Sequence, residues 1–273
     1  VFHLAAQALI KKSYDAPLET WKTNLLGTIH ILEAIRKQKK KCLCVIITSD
    51  KCYKNLEKIK GYKEDDVLGG IDPYSASKAA TEIAFKSYFF SFLKNTSHRF
   101  VTARAGNVIG GGDWSMNRII PDCVKSKAKG EKVKIRNLTA TRPWQHVIEI
   151  LNGYLRLAKK LSKDKKLNGQ SFNFGPKNSE IVPVSRILKS IKFNWPGFEW
   201  KKTGNIIKNE TRLLVLNTSK AKKILGWETR LRVDEAVKLT IEWYREFYQN
   251  KSKKFSIIDL TKNQILSYHN KFK

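Results

Sequence analysis

Two short segments carry side chains able to move protons on a small molecule. The first is Thr48-Ser49-Asp50-Lys51-Cys52-Tyr53; the second is Asp72-Pro73-Tyr74-Ser75-Ala76-Ser77-Lys78. Tyr74 and Lys78 stand four apart, one turn along a helix face. A neighbouring ammonium favours phenolate over phenol and so makes a tyrosine a usable base near neutral pH. Ser49 offers a hydroxyl to orient a substrate hydroxyl. Asp50 and Lys51 set an acid beside a base, a pairing that can remove one proton and deliver another. The spacing Tyr-x-x-x-Lys is weak evidence by itself, since a surface pair produces it too, and Asp50-Lys51 also suits a turn with solvated charges. Position decides between these readings. The first segment closes the apolar run Leu43–Ile47, and the second opens a helix.

Those placements follow from the pattern of the chain. The run 43–49 is apolar until its last residues, as a parallel strand covered on both faces should be. Residues 17–37 repeat Trp21, Leu25, Ile29, Leu32 and Ile35 at helical spacing. Pro73 suits the first turn of a helix, which extends to about residue 93. Residues 1–4 and 100–104 read as further strands. Strand and helix thus alternate through the first hundred residues, which predicts an α/β fold with a doubly wound, Rossmann-like parallel sheet. Such sheets hold ligands at the carboxyl ends of their strands. Beyond a glycine-rich loop at 106–112 the pattern predicts a helix at 117–129 and then mixed elements. These are strands at 133–135 and 171–174, and helices near 145–161, 185–191, 219–225 and 233–248. The expected organisation is a sheet domain over 1–130, a smaller mixed α/β substrate-binding region over 131–250 interleaved with it, and a polar tail over 251–273 with one amphipathic stretch.

The chain has 273 residues and a net charge of +29. Its lysines are spread over most segments, with clusters at 37–41, 159–166 and 251–254, and read as a solvated surface. No zinc-finger spacing or RNA-recognition signature accompanies the charge, so nucleic acid is not the expected partner. The four cysteines, Cys42, Cys44, Cys52 and Cys123, contain no Cys-x-x-Cys pair and fit a reduced, cytoplasmic setting. His3, His30, His98, His146 and His269 lack metal-ligand spacing, so no metal is expected. No apolar run is long enough to span a bilayer, and the first residues do not read as a signal peptide.

Two further segments suit an anion. Arg104-Ala105-Gly106-Asn107 closes a strand where backbone amides can approach closely. Arg142-Pro143-Trp144-Gln145 offers a guanidinium ahead of a helix. With these in place the chain resembles the extended short-chain dehydrogenase/reductases that act on nucleotide sugars, and within them the branch that dehydrates CDP-glucose. The resemblance runs through nearly the whole chain. It includes residues 1–7, Asn24-Leu25-Leu26-Gly27-Thr28, the two segments above, 104–114, Ile120-Pro121-Asp122-Cys123, 140–147, Asn173-Phe174-Gly175-Pro176 and Leu225-Gly226-Trp227. The blocks 103–114 and 141–146 are far more specific than Tyr-x-x-x-Lys.

The resemblance implies a tightly held NAD and a CDP-glucose substrate converted to CDP-4-keto-6-deoxyglucose, a step toward dideoxysugars of O-antigens. It implies Ser49, Asp50, Lys51, Tyr74 and Lys78 as catalytic residues. Tyr74 would be the base at the sugar 4-hydroxyl, and Asp50 the acid for the departing 6-hydroxyl. Where sibling dehydratases carry Asp-Glu, this branch carries Asp-Lys. Lys51 is then either the C5 base or a stabiliser of the enolate. His3, Ala5, Ala6, Gln7, Asn24 and Arg104, with Tyr74 and Lys78, would lie along the cofactor, Asn24 also ordering the backbone there. Asn107, Arg118, Arg142 and His146 would hold substrate, and a homodimer would form through a four-helix bundle of the helices near 17–37 and 73–93.

One family feature is missing from these residues, the strand, Gly-x-x-Gly-x-x-Gly turn and helix that clamp the cofactor pyrophosphate. The expectation is a chain shortened at its amino terminus by roughly seventy to eighty residues, two to three βα units, and inactive and poorly stable in this form. Two alternatives stand beside the dehydratase. A 4-epimerase or other dehydratase of the same superfamily is one, though an epimerase has no need of Asp50-Lys51. A catalytically inactive binding protein is the other.

Overall fold

The computed structural model describes residues 1–177, 180–203, 213–249 and 256–272. In chain order the first elements are β1 (Phe2–His3), α1 (Ile10–Asp15) and α2 (Pro17–Trp21), which runs through a π turn (Lys22–Leu26) into α3 (Gly27–Arg36). Then come β2 (Leu43–Ile47), a 3₁₀ turn (Asp50–Cys52), α4 (Pro73–Tyr88), β3 (Arg99–Ala105), β4 (Val108–Ile109), α5 (Ile119–Ala128) and β5 (Val133–Ile135). The remainder is β6 (Thr141–Pro143), β7 (Gln145–His146), α6 (Val147–Lys163), β8 (Ser171–Phe174), β9 (Ile181–Pro183), α7 (Val184–Asn194), β10 (Trp200–Lys202), α8 (Ser219–Leu225), α9 (Val233–Gln249) and α10 (Ile257–Lys271).

The described residues form two compact units, one of 1–106, 151–175 and 213–228, the other of 107–150, 176–212 and 229–273. The first break falls at Gly106–Asn107, where sequence placed it near residue 130. The two units are interleaved along the chain.

The first unit holds a four-stranded parallel sheet in the order β1-β2-β3-β8. Helices cover both faces, and side-chain alternation shows how. Cys44 and Ile46 of β2 and Phe100 of β3 pack on Leu32 and Ile35 of α3 and Phe85 of α4. Each such side chain, fully buried, contributes about 1.5–3 kcal/mol. Residues of the opposite parity meet α6. The Phe174 ring lies edge-on to Tyr154 at 5.5 Å, and Arg99 Nη1 donates to the Leu161 carbonyl at 2.7 Å. Gly153 permits this approach, because a Cβ there would lie 2.7 Å from the Phe174 ring. The sheet is therefore the doubly wound one expected, with β8 spanning the predicted residues.

Among the described residues the second unit holds three two-stranded pairs, β4 with β7, β6 with β9 and β5 with β10. Its core joins Val133, Ile187, Leu188, Val237, Ile241 and Tyr244. Residues 251–255 lie outside the described residues, but the amphipathic stretch is the helix α10, docked through Tyr268, whose hydroxyl donates to Glu149 Oε2 at 2.9 Å.

Candidate active site

Parallel pairing puts the carboxyl ends of β1, β2, β3 and β8 on one edge of the sheet. Ala5 and Ala6 follow β1 there, and Thr48 and Ser49 follow β2. Ser49 is extended (φ −158°, ψ 157°) and caps the 3₁₀ turn, its Oγ accepting from the Lys51 amide. The same hydroxyl donates to Asp50 Oδ1 at 2.9 Å. Ser49 and Asp50 are buried while Lys51 is half-exposed.

Helix α4 begins as the sequence predicts. Pro73 occupies its first position and the Asp72 carboxylate accepts from the Ser75 amide at 2.9 Å, a cap worth about 1 kcal/mol. The helix packs against the 3₁₀ turn. Tyr74 is 8% exposed and Lys78 is 5% exposed. An ammonium has three donors, yet among the described residues Lys78 Nζ finds one acceptor, the Ile47 carbonyl at 3.4 Å. Burial pulls the Lys78 pKa down to about 8, against the opposing charge of Glu82. Burial also lowers the pKa of His3, with Lys78 adding to it; its Nε2 pairs with Thr28 Oγ1 at 3.1 Å.

The depressed lysine has a consequence for stability. Its folded pKa of about 8 lies below the ordinary lysine value of 10.5. Between those values the unfolded chain holds the extra proton, so stability rises with pH across that window. Below it, the full cost of burying charge is present. Lys78→Met should therefore melt higher than the parent at pH 7, with the gap narrowing toward pH 10.5. Thermal melts at the two pH values check this, and a gap that widens with pH contradicts it.

Asn24 lies in the π turn and ties the edge together. Its Oδ1 accepts from the Gln7 amide at 2.8 Å, while Nδ2 donates to the Gln7 carbonyl at 3.0 Å and to Ser77 Oγ at 2.9 Å. Ser77 in turn donates to the Tyr74 carbonyl. Asn24 thus ties the backbone of Gln7 to Ser77 beside Tyr74, and both its amide hydrogens are spent, so it is not a cofactor donor. Gln7 is corrected in the same way. Its side-chain amide donates to Leu9 O and Thr20 Oγ1, and its backbone is held by Asn24. Arg104 is the larger correction. It is fully buried, bonded to Glu82, Tyr53, Ser171 and the Glu64 carbonyl. A guanidinium under the sheet edge cannot reach a cofactor; it anchors a buried network.

That network was not anticipated. Glu82, Tyr53, Glu64 and Asn173 belong to it, and the only sequence signal was that Glu82 continues the four-residue spacing of Tyr74 and Lys78.

The expected substrate ligands lie in the second unit. Asn107 accepts from the Gln145 amide through its carbonyl at 3.1 Å. Arg118 forms an ion pair with Asp113 at 2.8 Å. Arg142 is half-buried in β6, where its Nη1 donates to the Thr141 carbonyl. His146 departs from expectation. Its Nδ1 accepts from the Ile148 amide, its Nε2 is sealed from solvent, and burial lowers its pKa to about 4. A neutral, enclosed imidazole serves the core rather than a phosphate. Among the described residues no group of three His, Cys, Asp or Glu can hold a metal, and no helix is long and apolar enough to cross a membrane.

The GDP-mannose 4,6 dehydratase family matches residues 1–240. The chain belongs to that family. It is 39% identical over 251 residues to the CDP-glucose 4,6-dehydratase of Salmonella typhimurium, covering 90% of this chain and 70% of that protein. It is 25% identical to the human dTDP-D-glucose 4,6-dehydratase, over 92% of this chain and 69% of the relative. A crystal structure of UDP-glucose 4-epimerase with UDP-glucose from Thermotoga maritima aligns with a TM-score of 0.78 at 25% identity, covering 91% of this chain and 78% of that one. Membership accounts for an enzyme with a Rossmann-like sheet. At this strand edge Lys78 keeps unspent donors, and Ala5 and Ala6 present backbone with side chains no larger than a methyl, a surface that fits a dinucleotide.

Proposed function

We propose that this protein catalyses the NAD-dependent dehydration of CDP-glucose to CDP-4-keto-6-deoxyglucose. The observation that carries the choice of nucleotide is the 39% identity, over 90% of the chain, to a CDP-glucose 4,6-dehydratase. The acid–base set at the end of β2 supports the choice of a dehydration over an epimerisation.

Lys78 and the backbone of Ala5 and Ala6 would hold the nicotinamide end of NAD. When bound, that cofactor supplies a hydride acceptor at C4 that later gives the hydride back at C6. Tyr74 takes the proton of the sugar 4-hydroxyl, its phenolate favoured by the ammonium one turn away. Ser49 orients that hydroxyl. The resulting 4-ketone acidifies the C5 proton, which Lys51 removes or whose enolate it stabilises. Asp50 gives a proton to the departing 6-hydroxyl, so that water leaves. Asn107 and Arg142 are assigned to the diphosphate.

The test is the protein incubated with CDP-, dTDP- and GDP-sugars and followed by NMR. A 4-keto-6-deoxy product from CDP-glucose is expected. Conversion of only another nucleotide sugar would remove the assignment.

We further assign a cytoplasmic homodimer feeding dideoxysugar synthesis for O-antigens. The free cysteines fit a reducing compartment. Leu18 of α2, Leu26 of the π turn after it, Ile83 of α4 and Phe90 of the π turn Phe89–Leu93 that continues α4 leave apolar surface, which suits a four-helix bundle between copies. Sedimentation as a monomer at micromolar concentration would dismiss the dimer.

A further inference from the structure

We propose that Glu82 is a positioning residue for the Ser49–Tyr74–Lys78 site, fixing the strand end that carries Thr48 and Ser49 and setting a negative charge one turn along α4 from Lys78. This rests on the function proposed above.

Glu82 has no exposed surface. Its Oε1 accepts from Thr48 Oγ1 at 2.5 Å. Its Oε2 accepts from Arg104 Nη2 at 2.8 Å, Thr102 Oγ1 at 2.9 Å and Ser171 Oγ at 3.2 Å. One carboxylate thus binds α4 to residues of β3 and β8 and to the residue directly before Ser49. Thr48 is also held through its amide, which donates to the Ala103 carbonyl at 2.9 Å. Burial alone would push the Glu82 carboxyl up, but Arg104 and the hydroxyls of Thr48 and Thr102 pull it below the usual carboxylate range. The charge persists at every working pH.

A buried ion pair is weak evidence for stability, because apolar side chains of like volume often serve as well. An apolar pair cannot, however, orient the Thr48 hydroxyl or keep a buried ammonium charged. Glu82 is the largest influence opposing the desolvation of Lys78. The other titratable groups around this pair are His3 of β1, Asp50, Cys52 and Tyr53 at the 3₁₀ turn, Tyr74 of α4, and Arg104 of β3. Cys52 also raises the Lys78 pKa, less than Glu82 does, and burial keeps Cys52 a neutral thiol.

The experiment pairs two variants. Glu82→Gln/Arg104→Met removes both charges together. Thr48→Val removes only the hydroxyl and leaves the ion pair. For the double variant we expect turnover of CDP-glucose to fall about 10- to 100-fold with KM unchanged, and the alkaline limb of the pH profile to move down by about one unit. The ¹⁵N resonance of the Lys78 side chain should titrate lower by the same step. For Thr48→Val we expect turnover to fall several-fold with no change in the Lys78 titration. A folded double variant with the parent Lys78 titration and turnover overturns the proposal. If the double variant does not fold, unchanged turnover in Thr48→Val overturns it and reduced turnover supports it. If the parent converts no nucleotide sugar, the proposed function fails. The Lys78 titration, which needs no substrate, then still decides for or against Glu82.

Discussion

Tyr74→Phe should lower turnover of CDP-glucose by about 10²–10⁴-fold, the range lost when a positioned acid–base group is removed. At the middle of that range the transition state loses about 4 kcal/mol. The ring is nearly enclosed at the start of α4, so phenylalanine keeps its packing and deletes only the oxygen. Asn24, Ser77 and the Asp72 cap act on backbone and on other side chains. A fall in turnover at an unchanged melting temperature is the outcome that separates chemistry from folding. KM should change little, because the phenol acts on the proton that leaves O4 in the transition state rather than on the ground-state sugar. Steady-state kinetics with NMR detection of the 4-keto product check both halves. Near-parent turnover in a well-folded Tyr74→Phe would end the assignment of Tyr74 as base. Ser49→Ala is a less clean probe, since Ser49 also caps the 3₁₀ turn that carries Asp50 and Lys51.

How far these residues speak from sequence alone depends on how local their bonding is. Strand β8 and helix α8 span the residues predicted, because an aromatic or apolar pattern bounded by Gly, Asn or Ser is a local signal. The start of α4 was legible for the same reason, Asp72 and Pro73 being cap and first residue of one turn. Helix α1 was not foreseen; it has 6 residues, too few to show a period. The polar residues divide along the same line. Tyr74, Lys78 and Ser49 were read from spacing and from the strand that precedes them. Arg104, Gln7 and Asn24 were expected along the cofactor from the family resemblance, yet Asn24 bonds Ser77 53 residues on and Arg104 bonds still more scattered partners. Arg104 bonds Glu82, Glu64 and Tyr53 at separations of 22, 40 and 51 residues. Residue type shows that a guanidinium must be satisfied; it does not show by whom. The same limit hid Glu82, whose partners Thr48, Thr102 and Ser171 come from three separate stretches of chain.

That buried network carries the second large effect. Arg104→Ala should destabilise the first unit by about 3–5 kcal/mol, the cost of leaving one member of a buried ion pair without its partner. Burial raises the carboxyl of Glu82, and the guanidinium is the largest influence holding it down. Without Arg104 the acid must stay charged in an apolar enclosure or take up a proton; either course draws on the stability of the fold. The alanine also takes the Arg104 Nη1 donor from the Glu64 carbonyl at 2.8 Å and from the Tyr53 hydroxyl at 2.7 Å, which keeps its own bond to Asn173 Oδ1. Glu82→Gln/Arg104→Met should be far milder than Arg104→Ala, because a double change removes the charge and its partner together. Denaturant melts of the three proteins read this directly. If Arg104 held a cofactor instead, Arg104→Ala would weaken cofactor binding while leaving the melt of the free protein in place. If it anchors the sheet edge, the melt moves first, and any loss of binding follows in proportion to the unfolded fraction.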